Sequence, residues 1–364
     1  MSRGKFVRWG VPIAAVAVIG AAIGAGPVIA AVSGDPVLPE RSARQLLADA
    51  AAAVRNDGLP PMSGTVLKTT SLGLPALPQG ASAASPIALL SGSHEAKVWY
   101  GARDQFRLAV PGQMNETNII VNGDQTWMWD SQSNTATRVK VAPGTERPHT
   151  PAPSTPAMTP QQAAEQLLAK VGEHSVVSVT SNTQVAGRSA YELVLAPKDA
   201  GSLVRDVRLA LDGETYVPLR VQVHAKGAAE PAFEVGFTEV TFSAPAPENF
   251  TFTPPAGAKV EEKTLGFTKD KEKEHLSEGE IKTVGEGWTT VAVMPTPKAP
   301  ATQEQGQEGF SLDTLLQSAT PVSGAWGSGK LIKTKLVSAL FTDDGRLLVG
   351  AVTPEELTKA AGAK

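Results

Sequence analysis

The sequence predicts a mainly β, α+β fold in which antiparallel strands dominate, a few helices cover them, and a smaller α+β unit follows at the C-terminal end. Two observations carry this. Between Arg188 and Phe242 apolar residues recur at every second position in short runs separated by turn residues, the period of a strand. Between His94 and Val141 further short runs follow one another across Gly101, Pro111-Gly112 and Asn122-Gly123-Asp124, connections too short for the crossovers that parallel strands need.

The chain begins with Arg3, Lys5 and Arg8, and no charged residue interrupts the stretch from Trp9 to Gly34. Val28-Ile29-Ala30 offers a small-residue cleavage site, whereas the uncharged stretch also exceeds the ~20 residues that span a bilayer. Residues 1–34 are therefore a signal peptide or an N-terminal membrane anchor, and the rest is expected outside the cytoplasm.

Residues 35–263 form the expected main domain. Leu46, Leu47, Ala50, Ala51 and Val54 recur at helical spacing up to Asn56, and Gly64–Thr70 is a strand. Ser71–Leu90 follows no period, and its Leu72, Leu74 and Leu77 sit among prolines, alanines and serines. Two interpretations stay open: a lid over a cavity, or an alanine-rich insertion. Glu95–Tyr100, Gln105–Val110, Asn118–Val121, Thr126–Asp130 and Thr135–Val141 are the hairpin-linked strands, and Trp127 and Trp129, two apart, share a face. With Trp99 they pack a core or line a pocket.

A proline-rich connector at 143–160 ends in Thr159-Pro160-Gln161-Gln162, a helix start with its N-cap threonine and proline at the first position. Strands are then expected at Val176–Val185, from Tyr191, from Val207, from Val217 and at Phe233–Phe242. The alternation of Asn249-Phe250-Thr251-Phe252-Thr253 fits one more, stopped by Pro254-Pro255, which would end the sheet. Residues 264–364 form the smaller unit, with a charged run, a helix at Phe310–Gln317, a hairpin around Asp343-Asp344-Gly345 and a capping box at Thr353-Pro354-Glu355-Glu356.

Composition excludes several function classes. A net charge of -3 and an isoelectric point near 6.0 provide no basic stripe, so nucleic acid is not an expected partner. With no cysteine there is no disulfide, thiolate nucleophile or lipidated cysteine. His94, His149, His174, His224 and His275 are scattered without metal-ligand spacing, and no cofactor, metal site or catalytic group is expected. Gly324-Ala325-Trp326-Gly327-Ser328-Gly329-Lys330 mimics a phosphate loop, but Leu331 stands where a hydroxyl should hold Mg²⁺, so a glycine-rich connection is expected instead.

Several motifs, in order, resemble the LolA/RseB superfamily of lipoprotein carriers and envelope-stress sensors. Asn249-Phe-Thr-Phe-Thr-Pro-Pro-Ala-Gly257 is similar to the LolA terminal phenylalanine-threonine repeat with its two prolines and glycine. Ile119–Trp129 is similar to that family's apolar strand, polar-glycine turn and aromatic strand, and Glu192-Leu-Val-Leu-Ala-Pro-Lys198 to its central strand and corner. The resemblance implies a half-open antiparallel β-barrel closed by helices around a hydrophobic cavity. It also makes Arg103 the candidate for the arginine that ties down the lid. Trp99, Phe106, Trp127, Trp129, Leu193, Leu209 and Phe237 are the candidate lining residues, and Leu72, Leu74, Leu77 and Arg103 the candidate lid.

The implied function is binding of a lipid, or of the acyl chains of a lipoprotein, outside the cytoplasm. The alternative is a membrane-tethered RseB-like sensor that binds an envelope protein such as an anti-sigma factor. A structural protein with a filled core is the third.

Overall fold

A computed structural model describes residues 38–56, 58–73, 91–112, 114–141, 160–265, 281–296, 316–317 and 319–363. The expected leader at 1–34, Leu74 and Leu77, nearly all of the 143–160 connector and most of Phe310–Gln317 lie outside those residues. Among the described residues no helix is long and apolar enough to cross a membrane.

One sheet of twelve strands organises the chain, and it stays open. Its centre is β1 (Met62–Ser71). On one side lie β2 (Ser91–Ala102), β3 (Gln105–Pro111), β4 (Glu116–Asn122), β5 (Gln125–Asp130) and β6 (Thr135–Val141), a meander running outward. The chain then crosses to the far edge. From there β7 (Ser175–Val185), β8 (Arg188–Pro197), β9 (Val204–Asp212), β10 (Pro218–Ala225) and β11 (Phe233–Thr241) run back to pair with β1. Two wings of the antiparallel strands that the period-two runs predict thus meet at one strand, in the open arrangement that the family resemblance implies.

The sheet does not end at the prolines. Pro247–Phe250 is a turn of 3₁₀ helix and Thr251–Pro255 joins no ladder, so the expected strand at Asn249–Gly257 is instead an extended strap. Beyond it β12 (Lys259–Leu265) pairs parallel with β6, Lys259 opposite Thr135 through Leu265 opposite Val141. This segment reads in sequence as a solvated charged run. It is an edge strand, where exposed charges discourage pairing with another chain.

Two helices attend the β7 side. In α1 (Ala43–Asn56) the start is a reciprocal capping box: Gln45 N–H donates to Ser42 Oγ at 3.3 Å, and Ser42 N–H donates to Gln45 Oε1 at 3.0 Å. Its apolar side, centred on the fully buried Leu46, packs on Tyr191, Leu193 and Leu211. Helix α2 (Pro160–His174) packs on α1, joined at the surface by Arg44 and Glu165.

A second, six-stranded sheet orders β13 (Lys282–Val284), β14 (Val291–Pro295), β18 (Arg346–Gly350), β17 (Ser338–Thr342), β16 (Gly327–Lys333) and β15 (Thr320–Gly324). Helix α3 (Pro354–Ala361) covers it with Leu357, Ala360 and Ala361, and its N-cap is Thr353, whose side chain accepts from the Glu356 amide as the capping box predicts. The phosphate-loop mimic is a hairpin: β15 and β16 flank the Ala325-Trp326 turn, which leaves Lys330 on a strand and no phosphate cradle.

The second sheet is stitched to the first by main-chain bonds. Leu203 N–H donates to Ala351 O, Thr353 N–H to Gly201 O and Lys335 N–H to Leu72 O, each at 2.8 Å. Trp288 Nε1–H donates to Ser175 Oγ at 2.7 Å, and Leu336, Trp288 and Val337 enter the core cluster of Val204, Val207 and Val221.

Candidate ligand-binding face

Residues directly opposed in a ladder share a face of the sheet, so the register sorts the candidate residues. Phe106 opposes Tyr100 and Val121, and Tyr100 opposes Met62. Through β1 that face continues to Phe237, opposite Val66, then by Val235, Val221 and Leu209 to Leu193. Phe106, Phe237, Leu209 and Leu193 therefore lie on the face that bears α1. Trp99 opposes Arg107, Arg107 opposes Ile120, Ile120 opposes Trp127, and Trp129 opposes Ala136. The three tryptophans occupy the other face.

That other face is closed by the strap. Phe252 sets its ring 5.5 Å from Trp127 and 6.0 Å from Trp129, centroid to centroid, distances at which such pairs contribute roughly 0.5–1.5 kcal/mol beyond area burial. Phe250 is buried against Gly101, where an added Cβ would lie 3.0 Å from its ring, so the absence of a side chain there lets the ring approach closely. Arg107 stacks over Trp99 and donates through Nε and Nη2 to Asn118 Oδ1 at 3.0 and 2.9 Å, and Arg138 stacks over Trp127. The phenylalanine-threonine motif is thus the cover of a packed aromatic layer.

The helix-bearing face differs between its wings. On the β7–β11 side it is packed against other elements: Leu193 lies under α1, Phe237 packs with Met62, Val66 and Leu219, and Leu209 touches both α1's cluster and the one shared with the second sheet. On the β3–β6 side the same face carries Phe106, Leu108, Ile119, Val121, Met128 and Val139, opposed strand by strand. All stay at least partly exposed, Met128 to 44%. Only Phe106 of this set is among the seven candidates above. The rest were findable: the Gly123-Asp124 turn pairs Asn122 with Gln125, and that register puts Ile119 opposite Met128.

Where the wings meet, Lys68 lies on this face, buried, and opposes Val235; burial pulls its pKa down to about 8. Of the described lid candidates, Arg103 is exposed at the β2–β3 turn, and Leu72 packs at the junction with the second sheet.

On the opposite face of β8–β10 lies a ladder of buried charge. Asp206 accepts from Arg208 Nε at 2.8 Å and Arg205 Nε at 2.7 Å, and His224 Nδ1 lies 2.9 Å from it; Glu192 accepts from Arg220 at 3.1 Å. Burial lowers the His224 pKa against the pull of Asp206. For Asp206 and Asp212 burial acts upward, but hydrogen bonds from Arg208 and Arg205, and from Arg188 and Thr215, hold both below the ordinary carboxylate value.

The signs agree. A histidine whose pKa is depressed on folding loses stability as pH falls below its unfolded value, about 6.5, and depressed carboxylates lose theirs as pH falls through and below about 4. Urea midpoints are therefore expected to drop from about pH 7.5 to 5.5 and again toward pH 4, with His224→Gln removing the first step. A midpoint that does not change over that range would contradict the assignment.

No protein-family model matches the chain, and no curated protein matches it. Solved structures do. The complex of MucA and MucB from Pseudomonas aeruginosa is 16% identical over 88% of this chain and 96% of that one, with a TM-score of 0.42. A second structure of MucB, with MucA(peri), is 16% identical over 88% and 97%, with a TM-score of 0.41. A LolA superfamily protein from Nitrosomonas europaea is 12% identical over 58% and 99%, with a TM-score of 0.22. At such distance these likenesses identify neither ligand nor partner for this chain.

Proposed function

We propose that this chain is an extracytoplasmic binding protein that takes up acyl chains, of a lipid or of a lipoprotein, on the helix-bearing face of its open sheet. The carrying observation is the partly exposed apolar surface of Phe106, Leu108, Ile119, Val121, Met128 and Val139, on the face that the other wing packs under α1 and against the second sheet. Acyl chains suit such a surface because each buried CH₂ contributes ~0.8 kcal/mol without needing a polar partner. The uncharged stretch after Arg3, Lys5 and Arg8 supports export or anchoring.

No catalytic step is invoked. Among the described residues no group of three or more His, Asp or Glu could hold a metal ion, and His224 is buried in an ion-pair ladder rather than presented to a substrate.

Titration with a fluorescent fatty acid tests the proposal. Saturable binding is expected, displaced by unlabelled long-chain fatty acid and weakening as the competitor shortens, by about a factor of four per CH₂. Binding independent of chain length would contradict it. The second function to consider is a sensor that binds an envelope protein such as an anti-sigma factor, favoured by the second sheet docked through main-chain bonds. MucB, to which the chain is similar, has been solved in complex with a second protein, MucA.

A further inference from the structure

The junction between the two sheets holds a cleft of about 390 Å³ lined by residues from both. Its apolar side is Leu72 and Leu203 with Ala225 and Ala228. Its polar side is Lys226, Lys333, Lys335 and Thr334, and among the described residues no carboxylate lines it. The lysines come from two places in the chain: Lys226 follows β10, while Lys333 ends β16 and Lys335 lies two residues beyond it.

Two of the three are held in place. Lys226 Nζ donates to the carbonyls of Asp199 and Ala200 at 3.1 and 2.9 Å, and Lys335 Nζ donates to Ser71 Oγ at 2.8 Å. These partners are neutral, so neither charge is cancelled at the point of contact. Lys333 is exposed; Glu355, at the start of α3, feels its charge but stands outside the lining. Arg205 stands outside the lining too; its Nη1 donates to Ala228 O at 2.8 Å while its Nε is paired with Asp206.

We infer that this cleft binds a phosphate-bearing ligand, with the phosphate among Lys226, Lys333 and Lys335 and its apolar flank against Leu72 and Leu203. A multiply charged oxyanion matches three lysines around one small volume, because each can add a charge-assisted hydrogen bond. Since the walls belong to both sheets, an occupied cleft ties the second sheet to the first, and the ligand stabilises the docked arrangement by mass action. The cleft is separate from the acyl face, so either site can fail without the other.

Calorimetric titration of the full exported chain with inorganic pyrophosphate, beside flotation with phosphatidylglycerol and phosphatidylcholine vesicles, tests this. Expected is a pyrophosphate Kd of about 0.1 mM or tighter at about 0.15 M salt, or selective binding of phosphatidylglycerol vesicles. Pyrophosphate alone points to a soluble phosphate ester, and selective vesicle binding to a lipid headgroup. The Lys333→Gln/Lys335→Gln variant should lose at least about tenfold in either assay while keeping fatty-acid binding and its melting transition. Absence of both forms of binding, or binding that the double variant retains in full, would overturn the assignment.

Discussion

Asp212→Ala is expected to lower the stability of the chain by about 3 kcal/mol or more, because it removes one partner of a buried, fully bonded ion pair. Asp212 is wholly buried and accepts five hydrogen bonds: from Nε and Nη2 of Arg188, from the amides of Glu214 and Thr215, and from Thr215 Oγ1. Those bonds tie the β8 strand to the β9–β10 turn, where Tyr216 is held at a φ of 57° that side chains rarely adopt. Arg188 would keep Glu214 and its stacking over Phe242, so Asp212→Asn, which retains an acceptor, should cost distinctly less. Urea denaturation decides the matter. A loss under about 1 kcal/mol would show that Glu214 and Phe242 suffice to hold Arg188.

The second large effect concerns ligand rather than stability. Ile119→Ser combined with Met128→Asp, directly opposed residues of the partly exposed face, should weaken acyl binding by more than about a hundredfold. Losing the contact of about four methylenes costs ~3 kcal/mol, and a carboxylate facing a hydrocarbon chain adds to that. Stability should change by no more than about 1 kcal/mol, since neither side chain is fully buried. Val176→Asp, at a 57% exposed position on the other face of β7, serves as the control and should bind as the parent does. Equal weakening by all three substitutions would mean that the ligand surface lies elsewhere.

Much of the fold was legible because its strands are short, alternating and joined by tight turns, so period two marks each in turn. The division of the aromatic residues was not. Trp127 and Trp129 share a face by spacing alone, but whether Phe106 joins them depends on pairing across β2, β3 and β4, and Trp99 opposes Arg107 rather than Phe106. The strap misled for a related reason: Phe250 and Phe252 alternate with threonines as a strand would, yet the rings are used to cap Trp127, Trp129 and Gly101. Strand β12 was hidden by its charges, which an edge strand tolerates and a buried one would not. The junction cleft had no local signal at all, since Leu72 and Lys335 meet only through the docking of the second sheet.

Native mass spectrometry of the chain expressed from about Val32 onward bears most directly on the acyl-binding proposal. The protein would be purified gently from membrane-containing cells and any companion released by organic extraction. The expected result is an acylated species at near-stoichiometric level that the Ile119→Ser/Met128→Asp variant no longer carries. A ligand-free mass that persists after incubation with lipids and an acylated lipoprotein would contradict it, and would shift the function to recognition of a protein partner.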